Sequence, residues 1–249
     1  KSHEKNNEVS EAHNIYNAIL TSFPKNIRAQ QGLNNLGRKT SKKFLENPPQ
    51  ELVNRLINLY KQGQLTEVVD KAQTLLKQFP QAFIIWNILG GANMGLGRFE
   101  QASKNFLKVI ELNPLHNNAY SNLGVVLEGQ GKLYDAMEAY KKAISLNHKN
   151  NLTHFNLGNV LKKIGNLNES IKAYNDALLI NPKHAETYNN KGNAFEQKGN
   201  LNEAIVEYKK ALSLKPNYAE AYNNIGNIYK KQGKLDNSIK SYNKALSLK

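Results

Sequence analysis

The side chains best placed to do chemistry are amides. Asn122, Asn156, Asn190 and Asn224 recur every 34 residues, and Asn159, Asn193 and Asn227 stand three residues behind the last three of them. A carboxamide carries both a donor and an acceptor. A row of carboxamides can pair with the backbone of an extended polypeptide whatever its side chains. Asn is also abundant elsewhere, with Asn147, Asn150, Asn151 and Asn166 in turn-like stretches, where the residue is ordinary on a solvated surface. The two rows matter if the fold lines them along one face.

Other constellations fall short of a reaction. Gly124-Val-Val-Leu-Glu-Gly129 has the glycine spacing of a phosphate-binding loop, but Gln130 stands where that loop needs Lys. His116 and His184 share a register but lie two repeats apart, and His154 occupies an aromatic position, so structural roles are expected for them rather than metal binding. The absence of Cys excludes disulfides and thiolate sites. No catalytic residue, metal or cofactor is expected. No run approaches the roughly 18 apolar residues of a membrane span. The sequence opens at Lys1 without a charged-then-apolar leader, which reads as a piece of a longer protein, with a cytoplasmic location favoured.

The chain is basic, with 34 Lys and Arg against 20 Asp and Glu, a formal charge of +14. Lys141, Lys142, Lys209, Lys210 and Lys244 fall on one helix of the repeat described below. Lys162, Lys163, Lys230 and Lys231 fall at the end of the other, where Glu128 and Glu196 interrupt them. Charge divided between two faces favours a solvated surface over a nucleic-acid stripe.

The elements that must position these residues are set by the same period. Tyr120-Ser-Asn-Leu-Gly124, His154-Phe-Asn-Leu-Gly158 and Tyr188-Asn-Asn-Lys-Gly192 are one phrase at 34-residue steps. A second Gly (Gly131, Gly165, Gly199), a small residue (Ala136, Ser170, Ala204), a Tyr (Tyr140, Tyr174, Tyr208) and an Ala (Ala143, Ala177, Ala211) follow each time. A period of this size marks a solenoid. The register covers 49–249 as six units, 49–82, 83–116, 117–150, 151–184, 185–218 and 219–249. Each unit predicts two helices, at about positions 2–14 and 17–30 of the repeat. The Gly at position 15 ends the first helix, where a left-handed residue costs Gly least. Asp135, Glu169 and Glu203 suit the positive end of the second. Gly at position 8 is expected to let the second helix approach, facing the small residue at position 20. Lys191, at an otherwise apolar position, is expected to extend its ammonium to solvent. Unit 49–82 diverges, with Leu56 for the first Gly and Ala72 for the aromatic.

Ahead of the array, 1–37 reads as degenerate helices of the same kind, over 8–22 and 27–36. The basic run at Arg38 and the pair Pro48-Pro49 make 38–48 a linker or hinge.

Aromatic at position 4, apolar at 7, Gly at 8, small at 20, aromatic at 24, Ala at 27 and Pro at 32 resemble the tetratricopeptide-repeat (TPR) pattern, most closely in Trp86, Leu89, Gly90, Ala102, Phe106 and Pro114. The resemblance implies an all-α, right-handed superhelical solenoid of antiparallel helix pairs, with the first helices lining a concave groove that binds protein. Positions 6 and 9, which carry the two Asn rows, would lie on the exposed side of the first helix. They resemble the asparagine ladder in the TPR region of O-linked N-acetylglucosamine transferases. The dicarboxylate clamp of co-chaperone TPR domains is matched only in part: Asn193 and Asn224 fit, but position 5 never carries Lys.

The resulting expectation is a non-catalytic scaffold that holds an extended peptide or partner protein on Asn122, Asn156, Asn190, Asn224, Asn159, Asn193 and Asn227. The alternative is the substrate-docking region of a larger glycosyltransferase or sulfotransferase. Self-association is expected through the last helix, which repeats the internal pattern at Tyr242, Ala245 and Leu246 without a polar cap, or through the N-terminal segment.

Overall fold

The computed structural model describes residues 47–248 and, ahead of them, 15–16, 19–20 and 26–31. Of the expected N-terminal helices, 15–16, 19–20 and 27–31 are helical; the rest of that region, and the linker up to residue 46, lies outside the described residues. From Gln50 the chain is a succession of helix pairs: α1 (Gln50–Lys61) with α2 (Leu65–Leu76), α3 (Phe83–Gly95) with α4 (Phe99–Leu112), and α5 (Asn117–Gly129) with α6 (Leu133–Leu146). The series continues with α7 (Asn151–Ile164) and α8 (Leu167–Ile180), α9 (Ala185–Gln197) and α10 (Leu201–Leu214), and α11 (Ala219–Lys231) and α12 (Leu235–Leu246). No strand occurs among the described residues.

The turn inside each pair is set by one glycine. Gly63, Gly97, Gly131, Gly165, Gly199 and Gly233 all have φ between 71° and 92°, and they are the only described residues in that left-handed region. The chain then re-enters a helix whose first turn carries Asp135, Glu169 or Glu203. His116, at the end of its unit, caps the next helix, its Nδ1 accepting from the Ala119 amide at 3.1 Å, whereas His184 Nδ1 lies 2.6 Å from the Thr187 hydroxyl.

Packing within a pair rests on the glycine at position 8. The small residue at position 20 does meet it: Ser170 Oγ donates to the Gly158 carbonyl at 2.7 Å and Ser238 Oγ to that of Gly226 at 2.9 Å. The space above the missing side chain, however, is filled by the ring at position 24. A Cβ at Gly124, Gly158, Gly192 or Gly226 would stand 2.5–2.7 Å from Tyr140, Tyr174, Tyr208 or Tyr242, and one at Gly90 2.7 Å from Phe106. Tyr140, Tyr174, Tyr208 and Phe106 are completely buried there. Unit 49–82 solves the same problem in reverse. Leu56 and Ala72 are both buried, so the large side chain comes from the first helix and the small one from the second. Leu56 also lines a surface cavity of about 300 Å³ with Leu52, Arg55, Asp70, Lys71, Thr74 and Leu75.

Successive first helices α1, α3, α5, α7, α9 and α11 touch one another, whereas successive second helices do not. The first helices therefore form the inner wall of the curve and the second helices its outside. At the far end α12 exposes Leu235, Ile239 and Leu246, whose counterparts Leu201, Ile205 and Leu212 are half-buried or buried. Among the described residues no helix is long and apolar enough to cross a membrane.

Candidate functional site

The inner wall carries both asparagine rows, but their side chains are half-buried rather than exposed as the helical spacing suggests. The reason is a network between repeats. Tyr174 Oη donates to Asn159 Oδ1 at 2.7 Å, and Asn190 Nδ2 from the next unit donates to the same oxygen at 2.9 Å. One unit on, Tyr208 Oη and Asn224 Nδ2 donate to Asn193 Oδ1 at 2.6 and 3.1 Å. Tyr242 Oη donates to Asn227 Oδ1 at 2.8 Å. Each oxygen at position 9 of units 151–184 and 185–218 thus spends both lone pairs inside the protein. That orients the amide, leaving its Nδ2 hydrogens and the Asn224 Oδ1 for a ligand, while Asn190 Oδ1 takes a long bond from Asn189 Nδ2 at 3.5 Å. The side chains of Asn122 and Asn156, on the same wall, make no hydrogen bond among the described residues.

Burial raises the hydroxyl pKa of Tyr140, Tyr174 and Tyr208 well above the ordinary tyrosine value; at Tyr140 and Tyr208 the carboxylates of Glu128 and Glu196 add to it. The hydroxyls therefore stay donors at any physiological pH.

The wall changes character along its length. In the first two units position 6 carries Asn54 and then Ile88, and position 9 carries Ile57 and then Gly91; Ile57, Ile88 and Gly91, with Tyr60, Lys61, Met94, Asn87 and Asn122, line a cavity of about 370 Å³. The Tyr60 ring edge sits 3.3 Å from where a Cβ on Gly91 would be. Reading the amide rows alone missed this apolar stretch; the signal was present in Ile57, Ile88 and Gly91 at the register of the asparagines.

At the edge of the wall the charges are paired across repeats. Lys163 Nζ meets Glu128 Oε1 at 2.8 Å, and Lys231 Nζ meets Glu196 Oε1 at 2.6 Å. The free carboxylate oxygens face tyrosines, Tyr140 Oη to Glu128 Oε2 at 3.3 Å and Tyr208 Oη to Glu196 Oε2 at 3.1 Å. Lys162, between the two pairs, is half-buried. Desolvation lowers its pKa, opposed by Glu220 and reinforced by Lys163.

Two more residues stand differently from expectation or fill a special place. Lys191 does not reach solvent: its side chain is 12% exposed and its Nζ lies 3.4 Å from Glu207 Oε1, which Lys210 also meets at 3.0 Å. The carboxylate on α10 holds the ammonium inside. His154 replaces an aromatic and keeps its bond, with Nε2 3.0 Å from the His148 carbonyl, as Trp86 Nε1 donates to the Pro80 carbonyl at 2.9 Å. Among the described residues no group of three His, Asp or Glu is placed to hold a metal.

Family models for the tetratricopeptide repeat match residues 84–114, 129–165, 158–199, 192–233 and 219–249, which is more than half of the chain. The chain is a tetratricopeptide-repeat protein. As a TPR protein it shares its fold with solved structures. A crystal structure of MamA is 28% identical at a TM-score of 0.62, over 64% of this chain and 94% of MamA. YrrB, described as a TPR protein with an unusual peptide-binding site, is 20% identical at a TM-score of 0.61, over 72% of this chain and 92% of its own. PilF of Pseudomonas aeruginosa is 21% identical at 0.60, over 66% and 75%. A comparison with curated proteins finds none that matches. The TPR fold makes the array a right-handed superhelix and the inner wall its concave face.

Proposed function

We propose that this TPR array is a non-catalytic scaffold that holds an extended polypeptide along its concave face. The observation that carries the reading is the fixed orientation of the amides: Asn159 and Asn193 have their oxygens consumed by Tyr and Asn donors, so their Nδ2 hydrogens point to a ligand without further ordering. Pre-ordered donors lose less entropy on binding. Asn122, Asn156, Asn190, Asn224 and Asn227 complete the set. The apolar stretch at Ile57, Tyr60, Ile88 and Met94 accepts a hydrophobic side chain of the same partner. A main-chain grip with one side-chain pocket gives affinity from the first and selectivity from the second. YrrB, a fold neighbour whose description includes a peptide-binding site, is consistent with this use of the fold.

Asn122→Ala with Asn156→Ala is the clean test, because neither side chain makes a hydrogen bond among the described residues. The helical signal and melting temperature should stay unchanged. Affinity for a peptide selected on the wild-type chain should fall by about 0.5–1.5 kcal/mol for each lost hydrogen bond. Unchanged affinity for every selected peptide would remove the amide rows from the binding site. The exposed Leu235, Ile239 and Leu246 of α12 add a second contact surface, for another copy of the chain. Sedimentation should show concentration-dependent association that Ile239→Glu abolishes; a monomer at all concentrations would exclude it.

A further inference from the structure

The edge opposite those ion pairs, where one unit turns into the next, departs from its own repeat. Each such turn joins a second helix to the following first helix, and because the helices alternate in direction the turns share one end of the array. Ring contacts tie the helix starts to the turns there: Phe83 meets His116 with centroids 5.6 Å apart, and Phe155 meets His184 at 5.1 Å. Position 2 is Gln, Asn or Glu in four units but Ile84 and Leu152 in the other two. Position 29 is Lys, Glu or Ser except at Leu179, and position 33 is Gln, Lys or Asn except at Leu115. The fold therefore accepts polar residues at all three positions, and packing does not demand these four. All four are exposed, Leu115 by 76% and Leu179 by 81%. The turns 77–82, 113–116, 147–150, 181–184 and 215–218 contain no Asp or Glu. Lys149 and Lys183, which alternate with the aliphatic residues along the edge, are exposed and have no partner among the described residues. The carboxylates beside them are engaged: Glu111 pairs with Lys108, Asp176 Oδ2 lies 4.0 Å from His154 Nδ1, and Glu186 Oε2 lies 3.7 Å from His184 Nε2.

We propose that this edge, from Ile84 to Lys183, docks on an anionic lipid surface. A folded protein partner packs against a continuous apolar core ringed by polar residues. Here single aliphatic side chains protrude with unpaired ammonium groups between them. That arrangement suits a fluid interface, where each Ile or Leu enters the headgroup layer and each Lys meets a lipid phosphate. Stable attachment at a membrane surface takes two such signals together, because either alone is marginal. The contact is peripheral and needs no spanning helix. It is also separate from the proposed peptide groove: the concave wall is made by the length of the first helices, and the edge by their starts and the turns before them, so a docked array keeps its groove open.

The test is flotation of the 249-residue chain with vesicles of phosphatidylcholine alone and of phosphatidylcholine mixed equally with phosphatidylglycerol, at about 0.1 M salt. The chain should float with the mixed vesicles and stay behind with the neutral ones. Leu115→Ser/Leu179→Ser and Lys149→Glu/Lys183→Glu should each weaken binding about tenfold or more. Lys104→Glu/Lys172→Glu makes the same change of charge on exposed side chains at the outside of the curve and should weaken it by no more than about twofold. All six side chains are exposed, and melting temperatures matched to wild type confirm that the variants fold. Asn122→Ala/Asn156→Ala should float as wild type does. A chain that binds neither vesicle overturns the proposal. So does a leucine variant that binds like wild type, or an outer-face variant that loses as much as the edge variant, since net charge alone would then account for binding. Loss of flotation in Asn122→Ala/Asn156→Ala would move the contact to the groove and overturn the edge assignment.

Discussion

Gly192→Leu probes the packing rule on which the array depends. A Cβ at Gly192 would sit 2.6 Å from Tyr208 Cε1 and 2.7 Å from Cδ1. Ordinary carbon contacts begin near 3.5 Å, so the ring must retreat by roughly 1 Å before the rest of a leucine is placed. Tyr208 is completely buried, and its hydroxyl is tied to Asn193 at 2.6 Å and Glu196 at 3.1 Å. Overpacking of this kind costs about 1–3 kcal/mol, and a broken hydroxyl bond adds about 1 kcal/mol. Leucine's better helix propensity returns about 0.5–1 kcal/mol. The net expectation is a loss of about 1–3.5 kcal/mol, read by urea unfolding followed by circular dichroism. Tyr208→Ala alone should cost about 3–5 kcal/mol for the cavity. The double variant Gly192→Leu/Tyr208→Ala should be more stable than the sum of the two, because unit 49–82 already packs Leu56 against Ala72 in the same places. Gly192→Leu with wild-type stability would refute the steric reasoning. A double variant showing simple additivity would refute the claim that the two positions share one space.

Other outcomes follow from the same geometry. Lys191→Leu alone should destabilise, by less than the about 3 kcal/mol of a fully stranded buried charge, because Glu207 keeps Lys210 at 3.0 Å. Lys191→Leu with Glu207→Ala, which restores the Leu123/Ala139 and Leu157/Ala173 arrangement of neighbouring units, should equal or exceed wild type; chemical denaturation distinguishes the two, and a double variant worse than the single would contradict the reading. The raised tyrosine pKa values make stability depend on alkaline pH. Their contribution is complete below the ordinary tyrosine value of about 10 and declines as pH rises past it, because the unfolded chain releases protons the folded one keeps. Tyr140→Phe/Tyr174→Phe should flatten that decline relative to wild type, measured as unfolding free energy against pH; identical slopes would show that the hydroxyls ionise alike in both states.

Much of this architecture was legible in the sequence because each feature repeats. One glycine at position 15 predicts a left-handed turn, and six glycines adopt it. What was not legible depended on contacts between units. Periodicity places Asn159 and Asn190 on one side of their helices, but not the shared bond that half-buries them, since that bond joins residues in different repeats. For the same reason Lys191 read as a solvent-seeking residue: its partner Glu207 lies on the following helix at a position that is alanine in units 117–150 and 151–184. The glycine at position 8 was correctly read as a point of close approach, yet helical spacing alone could not say that the ring, rather than the small residue, takes the space. The apolar groove segment escaped because attention to recurring asparagines passes over Ile57, Ile88 and Gly91, where the rows are interrupted.

The central claim is that the concave amides contact the partner's backbone, and their own side-chain resonances report on it most directly. In a ¹⁵N-labelled chain titrated with a peptide selected on the wild-type protein, the NH₂ signals of Asn122, Asn156, Asn159 and Asn193 should shift together and saturate at one affinity. Those of Asn175 and Asn243, exposed on second helices at the outside of the curve, should stay where they are. Saturable binding that shifts Asn175 or Asn243 and leaves the concave amides untouched would contradict the account.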